Sequence, residues 1–477
     1  MGIDDYIKDV IAAGDEGSKL LAAICAPTLK NSDICDVIQE GMQGIAVINV
    51  PEKLYVVIHS ATANKHLTDP GTYAASLVDA LVDDSRAMGA SPVAFSNIID
   101  ASTADKTLVE EIGSSLARKA NEYRLPILNG ELAVLGPRVN EPANITGTMI
   151  SLAKPGGLNQ HAVTKYRAIV LVPDGRTLYM NSDGIGTKSE FYERFKMYER
   201  GVDDFLAMVA DDAVKIAAKI VAISGIVEAK GRIPKRKIRN WAKRREETLG
   251  AKISLRYERM DKRIMGYNED TKAYNIGGTA VSIIDRGALH QLPRPNPGDA
   301  LIAIKGGIRS NGITERRKAL TKMGEEWGLR GWHETKEGRL FRPYVTTPSI
   351  IFYPIFSEML GRGLASAVYH MSGGAYNGKL ARPLAKLGLH ATITDLFRPD
   401  WRDLAMIASI GSSMTNAYAK YPMGNEGFVV TGKPHDALAY LNSNYLRAKV
   451  CGYIDNDGTG VTLTAYNGEQ IIFNGGE

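Results

Sequence analysis

The sequence predicts an α+β protein: two tandem β-α-β-α-β half-modules followed by one further α+β domain. Strands and helices mix along the whole chain, which implies α+β domains rather than a doubly wound parallel sheet. Two segment pairs recur in the same order, about 130 residues apart. Leu81-Val82-Asp83-Asp84 returns as Val209-Ala210-Asp211-Asp212, and the stretch from Asn140 to Thr148 returns from Asn268 to Thr279. Matched order and spacing favour a duplicated module. The proline-rich run Pro293-Arg294-Pro295-Asn296-Pro297-Gly298 then marks a boundary. The expected domains are 1–157, 158–292 with a basic insertion, and 298–477.

Taken in order, residues 6–24 read as helical around a Gly-Asp-Glu-Gly interruption, and residues 41–44 as a turn. Short β-branched strands follow at Ile45–Val50 and Leu54–Ile58. Apolar spacings of three and four predict a helix over Tyr73–Met88, stopped by Gly89-Ala90-Ser91-Pro92. A strand at Val93–Ile99 and a helix over Lys106–Tyr123 come next. Pro126 opens a strand expected to end at Asn129-Gly130-Glu131, and Ile145–Leu152 closes the first module. The order then repeats: strands within 168–180, a helix over Val202–Ile223, and a strand at Ile276–Ile284. The last domain opens with strand Leu301–Ile304, a glycine loop and a helix to Met323.

The 477 residues carry 44% hydrophobic and 23% charged side chains, an ordinary globular composition. No run of about 18 apolar residues predicts a membrane span. The acidic start lacks a signal-peptide core. Three cysteines with no metal-ligand spacing fit a reducing cytoplasm. Net charge is +5, yet residues 229–263 hold 14 Lys/Arg against 4 Asp/Glu. A solvated helix face, or a basic wall beside a phosphorylated substrate, is favoured there over nucleic-acid contact.

Asn181 to Lys188 reads Asn-Ser-Asp-Gly-Ile-Gly-Thr-Lys, after a strand and before a helix. Glycines let backbone N–H groups approach an anion, Lys188 can neutralise phosphate, and Asp183 can hold a bridging metal. A plain strand-to-helix turn has the same signature. Asp84 and Asp212 end their helices as further carboxylate candidates, while Asp83 and Asp211 read as solvated helix edges. Glu131 follows a glycine, with Glu258 as its expected counterpart. Arg309, Ser310 and Asn311 lie in a glycine-flanked loop that can donate to a phosphate. His370 precedes Ser-Gly-Gly and is an acid/base candidate.

Together these segments resemble the aminoimidazole ribonucleotide synthetase family, the phosphoribosylformylglycinamidine cyclo-ligases. Its superfamily also holds formylglycinamidine ribonucleotide synthetase, selenophosphate synthetase, thiamine-monophosphate kinase and a hydrogenase-maturation protein. The family's Asp-Gly-Val-Gly-Thr-Lys is similar to Asp183–Lys188, and its Ala-Met-x-x-Asn-Asp helix to Ala207–Asp212. Its Gly-Gly-Glu loop is similar to Asn129–Glu131, and Ser-Gly-x-His-Ser-Asn-Gly to Gly306–Gly312. His-x-Thr-Gly-Gly-Gly matches His370–Ala375, and Phe-Asn-x-Gly-x-Gly more loosely Tyr421–Gly427.

The resemblance implies an ATP- and Mg2+-dependent ring closure on formylglycinamidine ribonucleotide. Gly184, Gly186, Thr187, Lys188, Gly373 and Gly374 would meet ATP phosphates. Asp183, Asp212, Asp84 and Glu131 would hold Mg2+. Arg309, Ser310 and Asn311 would grip the ribonucleotide phosphate, with His370, Asp183 and Lys188 as the catalytic set. The family carries one N-terminal module per chain and pairs two chains into a barrel. Here both modules sit in one chain, so the barrel is expected within one polypeptide, as a monomeric pseudo-dimer or a homodimer. The first module has lost its motif: Ile58-His59-Ser60-Ala61-Thr62-Ala63-Asn64-Lys65 stands there. Arg309 replaces the family's His, and Ser372 and Ala375 replace Thr and Gly. Another ATP-dependent superfamily activity, or an inactive nucleotide-binding homologue, stays open.

Overall fold

A computed structural model describes residues 16–33, 35–39, 45–63, 69–103, 105–139, 141–159, 168–260, 272–285, 294–310, 312–323 and 332–475. The turn at 41–44, Asn311, and parts of the expected repeat at 140 and 268–270 lie outside the described residues. The chain forms two compact units. Unit 1 takes Met1–Glu193 and Ala218–His290; unit 2 takes Arg194–Ala217 and Gln291–Glu477.

In unit 1, strands β1 (Cys35–Gln39), β2 (Ile45–Asn49) and β3 (Leu54–Thr62) lead into helix α1 (Pro70–Ala87). Then come β4 (Ser91–Ala101), α2 (Lys106–Glu122), β5 (Ile127–Val134) and β6 (Ala143–Ala153). The second half runs β7 (Ala168–Val172), β8 (Arg176–Gly184), α3 (Ser189–Arg194), α4 (Arg200–Val214), β9 (Lys219–Lys230), α5 (Lys235–Leu249), β10 (Lys252–Arg259) and β11 (Ala273–Asp285). Helix α1 starts where Asp69 accepts the Thr72 N–H at 2.7 Å and Pro70 fills the first turn. It buries Leu77, Val78, Leu81 and Val82 against its sheet.

One sheet has the order β5-β4-β6-β3-β7 and the other β1-β2-β8-β11-β9-β10. Within them, β5-β4-β6-β3 and β10-β9-β11-β8 have the same order and the same pairing senses. The strand before each set crosses over: β2 leads into β3 but pairs with β8, and β7 leads into β8 but pairs with β3. Registers agree residue by residue. Thr148 lies opposite Ser60 and Ser96, as Thr279 lies opposite Ser182 and Ser224.

Between the sheets the inward side chains stack in layers, because a strand turns every second residue to one face. Ile58, Ala94, Ile150, Met180, Ala222 and Val281 share an apolar cluster. Two residues away on every strand, after the apolar residue on four and before it on β6 and β11, lies a buried hydroxyl ring. Ser60 bonds Thr148 (2.8 Å) and Ser224 (2.9 Å), Ser182 bonds Thr279 (2.7 Å) and Ser96, and Thr148 meets Thr279 at 2.9 Å. Every hydroxyl has a partner, so the layer avoids the cost of burying polar groups unpaired.

Two expected elements differ. The helix foreseen over Val202–Ile223 ends at Val214, and strand β9 begins at Lys219. Ala217 takes φ +51° between them. Ile220, Ala222 and Ile223 are buried, and a fully buried strand has no period to separate it from a helix. Strand β5 runs on to Val134, so Glu131 sits inside a strand rather than after one. The basic run forms helix α5, which buries Ile238, Ala242 and Leu249 and turns its Lys and Arg residues outward. Arg244 and Arg245 flank the Trp241 ring at 4.7 and 5.5 Å.

Unit 2 centres on a sheet of order β13-β15-β12-β16-β14-β17-β18. Its strands are β12 (Ala300–Lys305), β13 (Ala367–His370), β14 (His390–Ile393), β15 (Asn425–Thr431), β16 (Ala448–Asp455), β17 (Gly460–Thr464) and β18 (Gln470–Phe473). Helices used below are α6 (Ile313–Met323), α7 (Lys336–Val345), α8 (Tyr353–Gly361) and α9 (Trp401–Ser409). Helix α4 belongs to this unit. Arg200 donates to Thr346 O at 2.8 Å, and Asp204 accepts the Ser349 N–H at 2.9 Å. Among the described residues no helix is long and apolar enough to cross a membrane.

Candidate active site

Strand β8 ends at Gly184, and Asp183 accepts the Gly184 N–H at 2.6 Å. Gly186 takes φ +53°, which a side chain resists, and opens a tight turn through Lys188 into α3. A buried network holds that turn from behind. Arg138 donates to Ser189 Oγ (3.0 Å) and Tyr274 O (3.2 Å) and pairs with Glu193. Ser189 in turn donates to Gly186 O at 2.9 Å. Arg138 was given no role from the sequence. A cation 138 residues into the chain gives no hint that it serves a turn about 50 residues later.

The turn is shared between modules. A Cβ on Gly186 would meet Leu135, just past β5, at 3.8 Å. Strand β5 carries Glu131, which is half-buried. Lys188 is 0% exposed, with its ammonium 5.9 Å from the Tyr192 ring. It therefore does not lie in an open groove.

Deeper between the sheets lie two carboxylates that the sequence reading passed over, Asp100 and Glu228. Both are buried and occupy equivalent registers, Asp100 opposite Asn144 and Glu228 opposite Asn275. Each asparagine serves the other module's acid. Asn144 Nδ2 donates to Glu228 at 2.7 Å, and Asn275 Nδ2 to Asp100 at 2.8 Å. Glu228 also accepts from Thr62 (2.9 Å) and Thr146 (3.2 Å). Burial, the Glu228 charge and, less strongly, Asp183 push the Asp100 carboxyl up to about 8. Alternating polar residues in β4 and β9 were the available signal, hidden because each strand reads as apolar overall.

Asp100 gives a pH dependence with a definite sign. Between its unfolded value of 3.8 and its folded value of about 8, the folded protein keeps a proton that the unfolded chain has lost. Stability from this group is complete below that window and falls as pH rises through it, by at most about 1.4 kcal/mol per unit. Without divalent cations, Asp100→Asn is expected to flatten urea-unfolding free energies between pH 5 and 8. A slope identical to wild type would contradict the assignment.

The pseudo-equivalent position is different. By register Ala61 stands where Asp183 stands, opposite Gly147 as Asp183 is opposite Gly278. Glu131, opposite Ile98, corresponds to Arg256, opposite Ile226. Glu258 is thus two residues away from the counterpart foreseen for it. A cavity of about 320 Å3 opens there beside Thr62, Arg256, Glu258 and Met260. Arg256 pairs with Glu258 at 2.6 Å.

In unit 2, the end of α4 brings together groups distant in sequence. Asp212 pairs with Lys215, and its Oδ1 lies 3.6 Å from His370 Nε2. His370 shares a 3.0 Å hydrogen bond with Ser372 Oγ. Burial disfavours the Asp212 anion, yet Lys215, Lys379 and His370 outweigh it and hold the carboxyl well below its usual range. Burial pulls Lys215 down to about 8 despite Asp212. His370 is pushed well below its ordinary value, first by burial and then by Lys215, and is neutral at pH 7. Gly373 and Gly374 follow on an exposed turn, and buried Ala375 takes φ +38°. Lys215, Ser372 and Lys379 join this cluster without having been singled out as site residues.

Arg309 corrects an expectation. It is 0% exposed and donates to Asp211 Oδ2 (3.0 Å), Glu426 Oε1 (3.4 Å) and the carbonyls of Ile350 and Ala207. Its guanidinium braces α4 against the sheet and is not offered to a phosphate. Asp211 is likewise buried rather than a solvated edge, and its Oδ1 accepts the Phe352 and Tyr353 N–H groups at 2.8 and 2.9 Å. Asp83 is exposed and Asp84 half-buried. Ser310 is half-buried. Asp183, Asp84 and Glu131 belong to unit 1 and Asp212 to unit 2. Among the described residues no three His, Cys, Asp or Glu side chains converge as a metal site.

Comparison with known proteins shows what the chain is similar to. Residues 43–153 match the family described as AIR synthase related protein, N-terminal domain. Phosphoribosylformylglycinamidine cyclo-ligase of Clostridium perfringens is 24% identical over 307 residues, covering 62% of this chain and 88% of that one. The enzyme of the same name from Pyrococcus furiosus is 25% identical over 278 residues, 56% of this chain and 76% of its own. Among solved structures, thiamine-monophosphate kinase from Stenotrophomonas maltophilia overlaps 63% of this chain and 89% of its own, at TM-score 0.40 and 14% identity. That overlap is too loose to carry an argument. Residues 43–153 are thus similar to the AIR synthase related N-terminal domain, and the longer alignments to phosphoribosylformylglycinamidine cyclo-ligases.

Proposed function

We propose that the chain is an ATP- and Mg2+-dependent cyclo-ligase converting formylglycinamidine ribonucleotide to aminoimidazole ribonucleotide, a step of purine biosynthesis. The observation that carries this reading is the Asp183–Lys188 turn, set at a strand end beside β5 of the other module. Gly184, Gly186 and Thr187 would receive the ATP phosphates, with buried Lys188 balancing their charge from within the turn. Residues 1–157 and 158–292, apart from the 194–217 segment that belongs to unit 2, act as tandem half-modules closing one barrel in a single polypeptide, ahead of the 298–477 domain. The shared strand order, crossed leading strands and hydroxyl ring support that closure. Only the half with Asp183 would turn over, since Ala61 stands at the mirrored position.

Acidic side chains of unit 1 are the candidates for a divalent cation, although no three of them converge among the described residues. The Asp183 charge, after burial and Glu228, already opposes ionisation of Asp100 inside unit 1. Asp183, Asp100, Asp84 and Glu131 are the unit 1 residues that would hold it. Bound Mg2+ would supply charge neutralisation for the phosphates. The chain's own residues position the reactants so that the amide oxygen attacks the γ-phosphorus, the bond to the β,γ-bridging oxygen breaks and ADP leaves. The amidine nitrogen then attacks the activated carbon, the ring C–N bond forms, phosphate leaves with the former amide oxygen, and a proton is released. Neutral His370 would orient the reacting amide rather than add charge beside it.

The first test is coupled formation of ADP and imidazole product with formylglycinamidine ribonucleotide and Mg2+. Equal amounts of both are expected. ADP release with other amide substrates but not this one would favour a different superfamily activity, a reading to which the burial of Arg309 lends weight. ATP binding without ADP would mean an inactive nucleotide binder.

A further inference from the structure

Unit 2 contains a cavity of about 520 Å3 that none of the site residues above lines. Its wall carries Lys305 at the end of β12, then Arg398, Asp400, Trp401 and Arg402 around the start of α9, and Tyr344 from α7. The volume suits one small metabolite.

The charges do not cancel within the cavity. Asp400 is already committed: it caps α9 by accepting the Arg402 N–H at 2.9 Å and takes Arg402 Nε and Nη2 at 2.7 Å each. Lys305 and Arg398 are both exposed and without an ion-pair partner among the described residues, although Lys305 adds to the field on Asp400 and Arg398 lies 6.0 Å from the Tyr466 ring. Two cations facing one concave space repel each other unless an anion sits between them.

The walls are fixed in advance of any ligand. Gly306 N–H donates to Gly424 O at 3.1 Å, and Gly307 N–H to Glu426 at 3.0 Å. A Cβ on Gly306 would lie 2.2 Å from Glu426, so this wall admits only glycine. Behind α9, buried Arg316 grips Asp403 with two bonds of 2.8 and 3.1 Å, locking the helix to α6. On the rim, Trp401 is 55% exposed, an unusual cost for the largest aromatic side chain. The Phe341 ring meets it edge-on at 5.7 Å, and the Arg402 guanidinium lies 5.6 Å from its centre.

We propose that this cavity is a second small-molecule site that takes a phosphorylated metabolite, its phosphate on Lys305 and Arg398 and its sugar or unsaturated body against Trp401. The site stands apart from the cyclo-ligase reading, because none of Asp183, Lys188 or His370 lines it. Its concave, single-ligand size separates it from a nucleic-acid surface.

The test is calorimetry on the full chain with ribose 5-phosphate, ribose and inorganic phosphate, alongside tryptophan fluorescence. Ribose 5-phosphate is expected to bind at least tenfold more tightly than either comparator. Lys305→Glu with Arg398→Glu should weaken it at least tenfold while ATP affinity and circular dichroism stay as in wild type, and Trp401→Ala should weaken it less. Ribose 5-phosphate binding equal to that of ribose overturns the proposal. So does unchanged binding in the folded double variant, and so does inorganic phosphate binding equally well with Trp401→Ala silent.

Discussion

Asp183→Asn is expected to lower ATP-dependent turnover at least about tenfold, about 1.4 kcal/mol on the barrier, with little loss of stability. The separation follows from the register. Ala61 occupies the same place on β3 as Asp183 on β8, so the fold tolerates a residue without a carboxylate there. Asparagine can also keep the contact with the Gly184 N–H, since its carbonyl accepts as the carboxylate does. What it loses is a charge at the mouth of the glycine turn. Steady-state rates and thermal melting on the same preparation check this. An unchanged rate would remove Asp183 from the site, and a collapsed melting temperature would make its role structural.

Replacing Arg309 should act in the opposite way. Arg309→Met leaves Asp211 and Glu426 as buried acids without their cation, a loss of about 3–5 kcal/mol for a broken buried pair. Burial against Arg309 already pushes Asp211 up to about 7. Without Arg309 its value rises further, and ionising it becomes harder. The variant should therefore lose more stability at pH 8 than at pH 5, where a protonated Asp211 hides part of the damage. Urea unfolding at the two pH values measures this. A variant with native stability and only a raised KM would return Arg309 to phosphate binding.

Much of the architecture was readable because it rests on local patterns. Helix α1 was foreseen from its apolar spacing and its Gly-Ala-Ser-Pro stop, and the repeat from Asn144 and Asn275 survives as matched registers. Buried strands were less legible. β9 reads as a continuation of α4 because burial on both faces erases its period. The site divided along the same line. The Asp183–Lys188 turn announces itself through its glycines. Asp100, Glu228 and Arg138 do not, since their meaning lies in pairings across 50 to 175 residues that no local window contains. Arg309 was misjudged for a related reason: a glycine-flanked loop suggests exposure, yet the sequence does not reveal that two acids wait inside.

The most direct test of the central claim follows the amide oxygen. Formylglycinamidine ribonucleotide labelled with 18O in its formyl group would be turned over with ATP and Mg2+, and the released phosphate examined by mass spectrometry. Phosphorylation of the amide oxygen before ring closure predicts one 18O per phosphate, matched to ADP and imidazole product. Phosphate without label, or ADP formed while the labelled substrate is recovered intact, would contradict the cyclo-ligase assignment.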